Sequence, residues 1–320
     1  MKKYLLHFTC ILGLLVLVFI AYRYLQTGDV VAWAEEAQHV QIPSSADNTT
    51  QDAYFISSTQ VNPLVVSLHQ WSYTFEHLDP ISDYALEHDW NYIRPNFRGT
   101  NNHPQACGSP LVISDIDDAI QYAIEHGNVD AEQIHIIGAS GGGYASLQHL
   151  MTSDFTPASY SAWVPITDLA AWYGESKIRE NKYFEDILQC TDSVDSLNLE
   201  EAKKRSPLHQ DTPIDKIKDT RINIFAGIND GYDGSVPISH SIDFYNKIVN
   251  DMGFDEEYQV SGEKAHEMLY TQQSTEPTNK TIGDRDILYE KQTYNISLKI
   301  FDGDHEILKE EAFNLLLNMQ

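Results

Sequence analysis

Apolar residues along this chain fall into short β-branched runs, separated by stretches in which they recur every third or fourth position. Leu64 to Leu68 is a nearly continuous apolar run of the kind a strand buried on both faces requires. Ala53–Ser57, Asn91–Phe97, Ile134–Ala139, Ser159–Ile166, Arg221–Ala226 and Ile296–Phe301 read as further strands. Helical periodicity predicts helices over Ile81–His88, Tyr144–Met151, Ile242–Met252 and Ile307–Met319. Another should run from Ser114 to His126, with Ser114 as its cap and Asp115, Asp117 and Asp118 at its positive end. That placement explains the acidic cluster without a metal ion.

Strands alternating with helices predict an α/β fold, an open and mostly parallel sheet with helices on both faces. The folded domain is expected over 53–320, with a long irregular, lid-like insertion at about 167–214 and a polar excursion from Phe254 to Tyr294. Residues 27–52, broken by Pro43-Ser44-Ser45 and Asn48-Thr49-Thr50, predict a polar linker. Internal repeats, heptads, G-x-G-x-x-G and P-loop motifs are all missing.

Ahead of the linker, Lys2-Lys3 precede an apolar run from Tyr4 to Tyr22, interrupted only by His7 and Thr9. Its length approaches the ~20 residues of a membrane span, and the lysines favour a cytoplasmic start. The expectation is an uncleaved anchor within residues 1–26, with a cleaved signal peptide as the rival reading. Either way the remainder is exported, membrane-anchored or else secreted or periplasmic. With 47 acidic against 21 basic residues the net charge is −26, which excludes nucleic acid as a partner and anionic membrane surfaces as an electrostatic target. Contact with a membrane is therefore expected through the N-terminal segment only. Export permits a disulfide, and with Cys10 set aside the cysteines are Cys107 and Cys190; a bridge and two free thiols both remain open.

The chemistry gathers at Gly138-Ala139-Ser140-Gly141-Gly142, a G-x-S-x-G sequence entered from a strand and left by a helix. In that setting the serine occupies a strained turn that lifts its hydroxyl clear of the sheet. A hydroxyl needs a base, and the base an orienting carboxylate, in the chain order Ser, acid, His. Asp230, just beyond the strand Arg221–Ala226, is the expected acid, with Asp233 as competitor. His305, between the last strand and the last helix, is the expected base, with His266 as competitor. Gly141 should supply one oxyanion amide, and Gln70 or Trp71 the other. H-E-x-x-H spacing and the closing glutamate of a calcium loop are lacking, so neither a metal nor an organic cofactor is expected.

These segments resemble the catalytic domain of the prolyl oligopeptidase family of serine peptidases, within the α/β-hydrolase fold. The resemblance rests on Pro95-Asn96-Phe97-Arg98-Gly99, Ser114 to Asp118, Val129-Asp130 through Tyr144, Gly227 to Asp230 and Gly303 to Glu306. It implies hydrolysis of small peptides or related acyl compounds through an acyl-enzyme, with Ser140, Asp230 and His305 as triad. Trp71, Trp172, Tyr173 and Tyr183 would then roof the pocket. Ala226 replaces the histidine usual in the family's acid turn, three extra residues separate Asp230 from Val236-Pro237, and the length leaves no room for the family's propeller. A carboxylesterase of small or carbohydrate esters, and an inactive membrane-anchored binding protein, are the alternative readings.

Overall fold

The computed structural model describes residues 32–319. Ten strands form one sheet: β1 Gln38–Pro43, β2 Thr50–Ile56, β3 Asn62–Leu68, β4 Asn91–Pro95, β5 Val129–Ala139, β6 Ser159–Trp163, β7 Arg221–Gly227, β8 Lys280–Ile282, β9 Arg285–Thr293 and β10 Ile296–Phe301. Their spatial order is β1-β2-β4-β3-β5-β6-β7-β10-β9-β8. The six central strands, β4 to β10 in that order, run parallel, and both flanks are antiparallel.

Alternate residues of the central strands serve opposite faces. Leu64, Val66, Ile134 and Ile136 pack with α2 (Pro110–His126), α3 (Gly141–Thr152) and α8 (Ser239–Asp251). Val65, Ile137, Trp163 and Phe301 face α1 (Ile81–Glu87) and α10 (Lys309–Leu317). A third apolar cluster stands apart from these two, joining Trp71, Cys107, Tyr144, Trp172, Ile187 and Cys190.

Several expectations are corrected. Part of the 27–52 linker is sheet, because β1 and the first residues of β2 pair as an antiparallel ribbon. Arg98 holds that ribbon to α2: its Nε meets Asp115 Oδ2 at 2.6 Å and its Nη1 meets Asp47 Oδ2 at 2.8 Å. Helix α2 begins a turn before Ser114, since Pro110 occupies its first position and Ser109 caps Val112 N. The acidic residues thus lie in its second and third turns, not at its end. Asp115 pairs with Arg98, Asp117 with His149 Nε2 at 2.8 Å, and Asp118 accepts from Ser45 N at 2.7 Å.

The insertion is helical: α4 Leu169–Ile178, α5 Tyr183–Cys190, α6 Leu199–Lys204 and, at its boundary, α7 Ile214–Asp219. The polar excursion contributes α9 Gly262–Thr271, then β8 and β9. Cys107 and Cys190 form a disulfide across 83 residues of sequence. Loop-closure entropy assigns such a bridge about 4–5 kcal/mol. Among the described residues no helix is long and apolar enough to cross a membrane. The expected anchor falls on residues outside them.

Candidate active site

Strand β5 delivers Ser140 into a backbone conformation of φ 56° and ψ −118°, a sterically costly region for a residue with a Cβ. Hydrogen bonds on either side hold it there: Ser140 N donates to Trp163 O at 2.9 Å, and Tyr144 N to Ser140 O at 2.8 Å. The glycines explain how tightly the turn packs. A Cβ on Gly142 would stand 2.1 Å from Leu68 O, and one on Gly141 2.2 Å from Trp71 N.

The second close approach brings the Trp71 backbone against Gly141. Among the described residues the amides of Gln70, Trp71 and Gly141 donate no hydrogen bond. Of the two candidates from the β3 loop, it is the Trp71 nitrogen that lies against Gly141. Below this loop His69 is buried and stacked on Phe97 at 3.9 Å, with Nε2 2.8 Å from Asn96 O and Nδ1 3.0 Å from Gln70 O. Burial pushes its pKa down to about 4.

Asp230 follows β7 and His305 follows β10, strands that are parallel neighbours, so their C-terminal loops meet. Asn229 N donates to Gly303 O at 3.0 Å, lacing the loops together. His305 Nδ1 lies 2.7 Å from Asp230 Oδ2, and Val236 N donates to Asp230 Oδ1 at 3.0 Å. Both carboxylate oxygens are therefore occupied, on a side chain only 1% exposed, while the imidazole remains 21% exposed. A buried carboxylate on Nδ1 holds that nitrogen protonated and leaves Nε2 as the basic position. Neither Ser140 Oγ nor His305 Nε2 has a hydrogen-bond partner among the described residues, so the serine–imidazole bond is not closed in this structure.

Neither competitor is hydrogen-bonded to this pair among the described residues. Asp233 is exposed, and His266 is exposed on α9, stacked on Tyr270 at 5.1 Å. Groups able to hold a metal ion, with three or more His, Cys, Asp or Glu, are absent among the described residues.

The insertion covers this region from two sides. Trp172 Nε1 donates to Ser235 O at 2.8 Å in the loop that carries Asp230, and Trp71 Nε1 donates to Asp186 Oδ2 at 3.2 Å on α5. Trp172 also meets Trp71 edge-on at 4.8 Å and stacks on Tyr183 at 4.8 Å. Asp186 and Asn101 escaped the sequence reading, because the Trp71 that both bind is 115 and 30 residues away. The only local signal was the acid's position in an amphipathic stretch, where solvent exposure is the usual fate.

Comparison with known proteins places this geometry in context. Residues 83–282 match the sequence profile described as the prolyl oligopeptidase family; Ser140 and Asp230 lie inside the match, Trp71 and His305 outside it. No curated protein matches the chain. Solved structures similar to it include an acylaminoacyl peptidase of Pyrococcus horikoshii, 19% identical with a TM-score of 0.55, the alignment covering 70% of this chain and 36% of that one. A puromycin-hydrolyzing peptidase of Mycobacterium tuberculosis aligns at 18% identity and TM-score 0.54, over 70% of this chain and 35% of its own. Prolyl oligopeptidase B from Galerina marginata aligns at 16% and 0.54, over 68% and 31%. The chain thus spans about a third of the length of the structures it resembles.

Proposed function

Because the chain belongs to the prolyl oligopeptidase family, we propose that it is a serine hydrolase that cleaves the acyl bonds of small peptide-like substrates through an acyl-enzyme. His305 Nε2 takes the proton of Ser140 as Oγ attacks the carbonyl carbon, and returns it to the departing amine. Water then repeats the sequence and releases the acid. Asp230 keeps the imidazole in the required tautomer and stabilises its cation. The amides of Gly141 and Trp71 receive the negative charge that develops on the carbonyl oxygen. The observation that carries this reading is the 2.7 Å His305–Asp230 pair beyond β10 and β7, in the same sheet whose strand β5 ends in a serine held at φ 56°.

Export, with or without retention of an N-terminal anchor, belongs to the same proposal. It is supported by the disulfide, a bond that persists outside a reducing cytosol.

The test is a fluorophosphonate probe applied to the full chain. Wild type should label, and Ser140→Ala should not. Failure of the wild type to label would support an inactive binding protein instead. Turnover of aminoacyl or peptidyl amides would then be compared with that of short acyl esters. Amide cleavage supports the peptidase, whereas strong ester turnover with no amide turnover would make it a carboxylesterase.

A further inference from the structure

Trp71 occupies a loop without regular secondary structure, yet it is only 2% exposed and is held from both ends. On its backbone side, the carbonyl accepts from Asn101 N at 2.9 Å and from Asn101 Nδ2 at 3.4 Å. Asn101 in turn accepts from Cys107 N through Oδ1 at 2.8 Å, and its own carbonyl lies 3.4 Å from Cys190 Sγ. On its side-chain side, the indole N–H is held by Asp186, one turn before Cys190 on α5. The Cys107–Cys190 bond closes these contacts into a ring. Running round it are the Trp71 carbonyl, Asn101, Cys107, Cys190, helix α5, Asp186 and the Trp71 indole.

A ring of this kind holds Trp71 by its carbonyl and its indole, both attached to the Cα that also carries the amide. Displacing the loop would move the Trp71 amide relative to Gly141, while leaving Ser140, Asp230 and His305 on their own strands. We propose that Asp186 and the Cys107–Cys190 disulfide are positioning groups for the oxyanion-binding amide of Trp71, so that turnover depends on an intact clamp in the insertion. The proposal rests on the serine-hydrolase reading above and adds to it a role for the insertion in the chemical step.

An amide that loosens forfeits part of the 10²–10³ in turnover that deleting an oxyanion donor costs. The expected loss in kcat is therefore about 10- to 100-fold, with KM moving less than about threefold because the ground-state carbonyl uses this contact weakly. Three perturbations should produce it in the full chain. These are Asp186→Leu, Trp71→Phe, and reduction by dithiothreitol, which converts the one S–S bond to two thiols as the reagent closes to its own disulfide. Asp186→Asn, which keeps an acceptor for the indole, should recover most of the loss. Because Asp186 and Trp71 act through one contact, the double variant should be little worse than either single one.

A peptidyl trifluoromethyl ketone, whose adduct carries the oxyanion, should lose affinity in parallel with kcat/KM. Far-UV circular dichroism identifies any variant that has simply unfolded, and the reduced wild type and Trp71→Phe remain informative if Asp186→Leu does so. If wild type labels with fluorophosphonate but the folded variants and the reduced enzyme keep kcat within twofold, the clamp is refuted and the hydrolase stands. If wild type does not label, both fall together.

Discussion

Gly234 offers a perturbation that removes no chemical group and strikes only the Asp230–His305 pair. A Cβ at this position would stand 2.2 Å from Asp230 Oδ1, 3.0 Å from Asp230 Cγ and 2.7 Å from His305 Cβ. A carbon–oxygen contact relaxes at about 3.3 Å, so Gly234→Ala must move the carboxylate or its own loop by about an ångström. Backbone strain plays no part, because the φ of Gly234 lies outside the left-handed region. The carboxylate has little freedom to retreat: Oδ1 is held by Val236 N at 3.0 Å and Oδ2 by His305 at 2.7 Å. Misplacement of a catalytic group by about 1 Å costs on the order of 10² in rate, or about 2.7 kcal/mol in the barrier. The expected outcome is a fall of about 100-fold in kcat, together with about 1–3 kcal/mol of lost stability from overpacking. Steady-state ester hydrolysis, the rate of fluorophosphonate labelling and urea unfolding measure these effects. Gly174→Ala is the matched control. It lies inside α4 with no atom within 4 Å of an added Cβ, so activity should hold while stability rises by up to about 1 kcal/mol. If Gly234→Ala turned over within about threefold of wild type while folding normally, the Asp230–His305 pair would not be the catalytic couple, and the reasoning would be wrong.

Two further outcomes follow from the same geometry. Asp230→Asn should lower kcat by about 10⁴, the cost of the wrong imidazole tautomer in serine proteases, whereas Asp233→Asn and His266→Ala, both at exposed positions, should stay within about twofold; equal losses at positions 230 and 233 would contradict the assignment. His135 is buried with Nδ1 2.8 Å from Ser159 Oγ and Nε2 without a partner, and burial pushes its pKa down to about 4. Between that value and the unfolded pKa of about 6.5 the unfolded chain binds the extra proton, so this contribution is complete above about 6.5 and is lost as pH falls toward 4. In urea unfolding His135→Met should therefore lose about 2.5 kcal/mol less stability than wild type between pH 7.5 and 4.5, and parallel pH curves would exclude the effect.

What could be read in advance and what could not divide along a physical line. The elbow, the strands that bear Ser140, Asp230 and His305, and the helices packed on them are specified by contiguous residues: β-branched runs, a glycine-flanked serine, a 3.6-residue period. Each signal is local, and buried parallel strands exaggerate it because both faces must be apolar. The flanks lack that redundancy. In β1 only Ile42 is buried, so an edge strand of Gln38-His39-Val40-Gln41-Ile42-Pro43 carries the polarity of a linker, and what makes it a strand is β2. Likewise the acids of α2 looked like partners for a helix dipole until Arg98 and Ser45, distant in sequence, were placed against them.

The insertion is the extreme of this dependence. Helices α5 and α6 have eight and six residues, too short to stand alone in water. What orders them is tertiary: the disulfide, the Trp71–Asp186 bond and the aromatic cluster around Trp172. The same dependence on tertiary contacts gives these short helices a functional consequence. An element ordered by its contacts with the serine-facing loop also reports strain back to that loop. Under the proposed clamp, the residues that fold the insertion are the ones through which changes in it would reach the carbonyl oxygen of a substrate.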